Sequence, residues 1–147
     1  MRERAHKSIG TIIEKAQMNC GGSMKRILLV DDEPAIIFAF SKVLKAKEVE
    51  IDTAGSAESA IDLLHRNRYD ALVVDLRLTG VDDMDGLGVV SEANAIQNDC
   101  KIVVMTAYGG EDIRNQVFAR GADYYMEKPV SASRIKETLA DMCIYKV

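Results

Sequence analysis

The sequence predicts an α/β domain: a doubly wound, five-stranded parallel sheet with helices on both faces. Five short apolar runs of strand length alternate with amphipathic helical patterns and carry no repeat signature. Three of those runs are continuously apolar, as strands covered on both faces must be. The other two, VEIDT and ADYYM, mix polar and apolar residues in the manner of edge strands. At 147 residues the chain is long enough for one domain with a sound core.

Residues 1–23, MRERAHKSIGTIIEKAQMNCGGS, differ in texture from the rest. They are expected to form an N-terminal extension, disordered or partly helical over 11–18, with GGS as a flexible joint. The basic start suggests a signal peptide, but the apolar cluster at 9–13 is broken by Gly10 and Thr11, and Cys20 lacks a lipoprotein context. Met24 then opens MKRILLVDDEP, so the domain is expected over 24–147, preceded by an upstream extension or a mis-set start.

The first strand is expected over 26–30, RILLV. Pro34 opens the first helix, where its fixed φ suits the first helical position, and Ile36, Ile37, Phe40, Val43 and Leu44 form its apolar face. The second strand covers 49–53. Ser56 caps a second helix that carries Ala57, Ala60, Ile61 and Leu64 at helical spacing. The remaining strands are expected over 71–74, 102–105 and 122–126, and the remaining helices over 86–97, 111–120 and 131–143. With the continuously apolar strands central, the strand order is 2-1-3-4-5.

Composition excludes several classes of function. The formal net charge is −4 and no Lys/Arg block is present, which argues against direct nucleic-acid binding, since phosphate contact needs clustered positive charge. No apolar run approaches the roughly 18 residues of a membrane helix. Cys20, Cys100 and Cys143 are odd in number and scattered, and read as free thiols in a reducing cytoplasm.

In an open sheet of this order, ligands lie beyond the carboxyl ends of the central strands, at the switch point between strands one and three. Strand one delivers Asp31 and Asp32, with Glu33 at the rim; strand three delivers Asp75; strand four delivers Thr106. Strand five leads through Tyr125 to Lys128 and Pro129. Three carboxylates held within roughly 4 to 6 Å repel by a few kcal/mol per pair at an effective dielectric of about 20, so the set calls for a cation. Hard oxygens with no His or thiolate among them favour Mg²⁺, whose shell is normally completed by water and phosphate oxygens. Lys128 adds a compact positive charge and Thr106 a hydroxyl donor, so the pocket suits a divalent ion and then a phosphoryl group.

Each residue has a plainer reading. Asp32 and Glu33 before Pro34 favour a helix N-terminus in their own right. Asp75 suits a turn, Thr106 a cap, Tyr125 a half-buried edge strand and Lys128 a solvated surface. Those readings do not explain why all of them meet at one sheet edge. In VDDMDGLGVVSE, Asp83, Asp85, Gly86 and Glu92 match offsets of a calcium loop, but Val81 and Gly88 occupy positions that such a loop needs otherwise, so a helix-capping acidic loop is preferred. His6 and His65 are isolated, and the seven methionines read as core filling.

VDDEP after strand one, VVDLRL at the end of strand three, VVMTA at the end of strand four, and GADYYMEKP, in this order and at these intervals, resemble the receiver domain of two-component response regulators. The resemblance covers residues 24–147 and implies a flavodoxin-like fold. It implies that Asp75 is the phosphoacceptor, attacking a phosphohistidine in line to give an acyl phosphate. It makes Asp31 and Asp32 the Mg²⁺-binding acids, with Asp75 and the backbone carbonyl of Arg77 as further ligands. Lys128 would pair with a phosphoryl oxygen, Thr106 would move to another, and Tyr125 would rotate inward behind it. The Lys128–Pro129 peptide is expected to be cis.

The chain departs from the family pattern at Thr79, where proline is usual, in about three extra residues before Asp85, and at Tyr108, bulkier than usual and placed to gate water or donor. The resemblance implies a signalling switch that catalyses only its own phosphorylation and slow dephosphorylation. Its partners would be a sensor histidine kinase or histidine phosphotransfer protein and a downstream protein, and its place the cytoplasm. Only one helix follows Pro129, so the expectation is a stand-alone receiver or a fragment of a longer DNA-binding regulator. Two further readings compete. One is a phosphorylation-independent binding module. The other is an aspartate-nucleophile phosphohydrolase, which usually needs an acid where Arg77 stands.

Overall fold

The computed structural model describes residues 24–77 and 85–145. Expectations for residues 1–23, for His6 and for the loop at 78–84, with its altered Thr79 and its calcium-like offsets, lie outside the described residues.

Along the chain, β1 (Lys25–Val30), α1 (Pro34–Leu44), β2 (Val49–Ala54), α2 (Ala57–Arg66) and β3 (Ala71–Asp75) are followed by α3 (Asp85–Ile96), β4 (Lys101–Thr106), α4 (Glu111–Ala119), β5 (Tyr124–Glu127) and α5 (Ala132–Asp141). The strands form one parallel sheet in the predicted order, β2-β1-β3-β4-β5. Val30 pairs with Val74, Asp75 with Met105, and Thr106 with Glu127. That register brings the carboxyl ends of the central strands to one edge.

The side-chain period of two divides each strand between two cores. Leu28, Val30, Leu72, Val74, Ile102 and Val104 pack with residues of α2, α3 and α4 on one face. Ile27, Leu29, Ala71, Val73, Val103 and Met105 pack on the other with Phe40 and Leu44 of α1 and Ile135 and Leu139 of α5. Both faces are covered, which is why these strands read as unbroken apolar runs. Each fully buried large aliphatic side chain contributes about 1.5–3 kcal/mol.

Local chemistry sets the ends of the elements. Ser56 Oγ accepts the Ser59 N–H at 3.1 Å and Ser131 Oγ accepts the Arg134 N–H at 3.1 Å, two side-chain N-caps. The far end of α2 is closed by Gln97, whose amide donates to the Leu64 carbonyl at 2.9 Å and the Asn67 carbonyl at 2.7 Å. At the amino end of the sheet, the Tyr69 hydroxyl donates to Asp52 at 2.6 Å, and Arg26 pairs with the same carboxylate at 3.1 Å.

Several expectations need correction. β5 begins two residues later than expected, because the Ala122 N–H turns back to the Val117 carbonyl of α4 instead of joining the ladder. Val43 is exposed, so the buried stripe of α1 is narrower than its apolar residues suggest. His65 is not isolated: its Nε2 lies 2.6 Å from Glu92 Oε2, joining α2 to α3. Of the methionines, Met105 is core while Met24 is exposed. Cys100 is a buried thiol, Cys143 is disulfide-bonded and not free, and Cys20 lies outside the described residues.

Candidate functional site

The carboxyl edge of the sheet assembles most of the residues singled out in the sequence. Asp31 leaves β1 fully buried, and its Oδ1 accepts the Glu33 N–H at 3.0 Å. Glu33 occupies the N-cap position of α1 without making a side-chain cap. Side-chain capping therefore does not account for Glu33. Asp75 ends β3 and is only 5% exposed. One carboxylate oxygen from each of Asp31, Asp32 and Asp75 lies within 4.8 Å of the others.

Lys128 answers part of that charge. Its Nζ sits 3.1 Å from Asp31 Oδ2 and 3.1 Å from Asp75 Oδ2, with Glu33 at 3.9 Å on the exposed rim. The peptide that follows it, Lys128–Pro129, is cis, as expected. One ammonium pairs with two buried carboxylates, and the half-buried Asp32 lies beside them without a pairing to it, so the site carries an uncompensated negative charge.

The titration directions reflect this imbalance. Burial raises the Asp75 pKa above the ordinary carboxylate value; the hydrogen bond and charge of Lys128 oppose the rise, and Asp31 adds to it. Burial alone would lower the Lys128 pKa, but the hydrogen bond and charge of Asp75, reinforced by Asp31, outweigh it and raise the ammonium above its usual value. The shared lysine is over-served with anions while Asp75 receives only part of its charge.

The surrounding groups complete the edge. Thr106 is fully buried, and its Oγ1 accepts the Tyr108 N–H at 3.0 Å. The Arg77 N–H donates to Asp75 Oδ1 at 3.3 Å, while its guanidinium lies 3.9 Å from the centroid of the exposed Tyr108 ring. Tyr125 stands one strand away, its hydroxyl accepting the Gly110 N–H at 3.2 Å and lying 3.0 Å from Glu127 Oε2.

Sequence reasoning missed two parts of this edge. Gly86, at the start of α3, donates its N–H to the Leu76 carbonyl at 2.9 Å, and a Cβ there would run into the backbone of Asp75 and Leu76. The other is Glu127 with Gly109 and Gly110. The signal for it was present: Glu127 stands two residues from Tyr125, hence on the same face of β5, and a Gly-Gly pair precedes α4.

A family model described as the response regulator receiver domain matches residues 27–140. The alginate biosynthesis transcriptional regulatory protein AlgB of Pseudomonas putida is 36% identical over 124 residues, 84% of this chain and 26% of that protein. The transcriptional regulatory protein PrrA of Mycobacterium tuberculosis is 31% identical over 112 residues, 76% of this chain and 47% of the relative. The sporulation initiation phosphotransferase F of Bacillus subtilis is 25% identical over 115 residues, covering 78% of this chain and 90% of the relative. The chain thus spans about half or less of the two transcriptional regulators and most of the phosphotransferase. Among solved structures, a CheY-like response regulator receiver domain protein from Methanospirillum hungatei superposes with a TM-score of 0.75 at 25% identity, covering 82% of this chain and 94% of that one.

Proposed function

Because this chain belongs to the response regulator receiver domain family, we propose that it is a phosphoacceptor switch of a two-component phosphorelay, phosphorylated on Asp75. The observation that carries the reading is the charge imbalance: three carboxylates lie within 4.8 Å of one another, and one lysine pairs with two of them, Asp31 and Asp75. Such a set of hard oxygens, without imidazole or thiolate, fits Mg²⁺. Asp31, Asp32 and Asp75, with the backbone carbonyl of Arg77, would hold the ion. When bound, it would supply neutralisation of the charge on the transferring phosphoryl group.

The residues divide the remaining work. Asp75 supplies a carboxylate oxygen that attacks phosphorus in line; the bond from phosphorus to the donor imidazole breaks, and the product is an acyl phosphate. Lys128, held between Asp31 and Asp75, is placed to exchange a carboxylate partner for a phosphoryl oxygen. Thr106 donates its hydroxyl to a second oxygen, and Tyr125 moves inward behind it. Tyr108, stacked with Arg77 at the mouth of the site, limits the access of water.

The donor would be a sensor histidine kinase or histidine phosphotransfer protein, and the output a cytoplasmic protein contact made by the phosphorylated form. The chain would be no metabolic enzyme, catalysing only its own phosphorylation and slow hydrolysis. A second reading, that it is the receiver portion of a longer DNA-binding regulator, is favoured by the transcriptional regulators it resembles, of which it spans a quarter to about half. Among the described residues no helix is long and apolar enough to cross a membrane.

Incubation with Mg²⁺ and acetyl phosphate, followed by intact mass, tests the reading. One added phosphoryl group that is lost with EDTA and lost in Asp75→Asn is expected. Absence of the adduct in folded protein, with acetyl phosphate and with a phosphorylated histidine donor, would refute it.

A further inference from the structure

On the same face of the sheet as Thr106, a second cluster surrounds the Tyr125 hydroxyl. Thr106 pairs with Glu127 and Val104 with Tyr125 across β4 and β5, so Thr106, Tyr125 and Glu127 project to one side. The hydroxyl is saturated in both senses. It accepts from the Gly110 N–H at 3.2 Å and donates to Glu127 Oε2 at 3.0 Å, a bond strengthened by the carboxylate charge.

Glycines build the space for this arrangement. A Cβ at Gly109 would run into the Tyr125 hydroxyl and the Glu127 carboxylate. Gly110 has φ +150°, a conformation that L side chains rarely adopt. The ring itself is braced by Phe118 of α4, with centroids 6.5 Å apart. None of these groups touches the acid pocket, and neither the acyl transfer nor the ion would use them.

We propose that Glu127 is a positioning residue that latches Tyr125 against the start of α4 and opposes its inward rotation. This rests on the phosphorylation reading given above. To enter the space beside Thr106, the Tyr125 ring must release both the Gly110 N–H and the Glu127 carboxylate. Glu127 therefore biases the resting switch toward the unphosphorylated arrangement without contacting the phosphoryl group. A ligand or modification shifts a two-state element only by its differential interaction with the two states, so a contact present in one state alone sets the balance.

The test reads Tyr125 directly. The protein is labelled with 3-fluorotyrosine, the Tyr125 resonance is assigned with Tyr125→Phe, and spectra are recorded without donor and after Mg²⁺ with acetyl phosphate. Glu127→Ala is expected to move the unphosphorylated resonance toward its phosphorylated position, shifting the outward-to-inward ratio by about tenfold, the worth of one charge-assisted hydrogen bond. Phosphorylation by acetyl phosphate should accelerate several-fold. Glu127→Gln keeps a neutral acceptor and should fall between the two; it also serves if the alanine variant folds poorly. A residue with only a structural role would lower stability and shift the resonance locally, without moving it toward the phosphorylated position or changing the labelling rate. Normal labelling, with the same rate and the same Tyr125 resonance in both variants, overturns the latch alone. Failure of the wild-type protein to take up a phosphoryl group overturns the reading on which it rests.

Discussion

Replacing Asp75 by Asn should stabilise the metal-free protein, although it deletes a carboxylate that is hydrogen-bonded to the half-buried Lys128. The magnitude follows from distances. Oxygens of Asp31 and Asp32 within 4.8 Å of Asp75 each repel it by about 3.5 kcal/mol at an effective dielectric of about 20. Lys128 at 3.1 Å attracts it by about 5 kcal/mol on the same scale. Repulsion therefore exceeds attraction by about 2 kcal/mol, which solvent around the half-buried Asp32 reduces and the burial of Asp75 increases. Asn also retains a carbonyl oxygen for Lys128. The expectation is a gain of about 1–2 kcal/mol in urea unfolding with EDTA at neutral pH.

The sign with pH follows from the raised pKa of Asp75. The fold disfavours its ionised form, so the gain from Asn is present at neutral pH and shrinks as acid protonates Asp75 in the native state. Mg²⁺ should reverse the order: at about 100 times its Kd it would add about 2.7 kcal/mol to the wild type, and less to a variant that has lost a ligand. An Asp75→Asn protein no more stable than wild type in EDTA would refute the reasoning.

Three further outcomes follow from the same structure. Tyr108→Ala, which removes the ring stacked on Arg77, should speed loss of the acyl phosphate several-fold in a dephosphorylation time course; an unchanged rate would sink the gate. Gly86→Ala, which forces a Cβ into the backbone of Asp75 and Leu76, should destabilise the fold by about 1–3 kcal/mol by denaturant unfolding, and a neutral effect would show that α3 can retreat. Burial, with the hydrogen bond to Asp52 behind it, pushes Tyr69 up to about 12. Because its folded pKa is raised, the stability it contributes is whole below the unfolded value of about 10 and is lost as pH climbs toward 12; Tyr69→Phe should flatten that decline in denaturation midpoints.

The sheet was legible because burial on both faces leaves no room for polar residues: ILLV of β1 and ALVV of β3 are fully buried from end to end. The central residues of the site were legible for a related reason. The local roles open to three acids and a lysine at strand ends do not explain why the topology brings them all to one edge. Elements governed by hydrogen bonds from a neighbouring segment were harder to read. The start of β5 depends on where the Ala122 N–H goes, and no propensity encodes that. Glu127 shares a face of β5 with Tyr125, but its contact with the Tyr125 hydroxyl depends on the Gly-Gly turn packed against both. His65 found Glu92 only once α2 and α3 were laid side by side.

The central claim is that the carboxylate of Asp75 itself accepts the phosphoryl group. The most direct measurement is to phosphorylate the protein with Mg²⁺ and a phosphohistidine donor, reduce the acyl phosphate with borohydride, and map the resulting homoserine by peptide mass spectrometry. Homoserine at position 75 alone, absent when EDTA is present, is the predicted result. Homoserine at Asp31 or Asp32, or none after demonstrable transfer of the phosphoryl group, would contradict it.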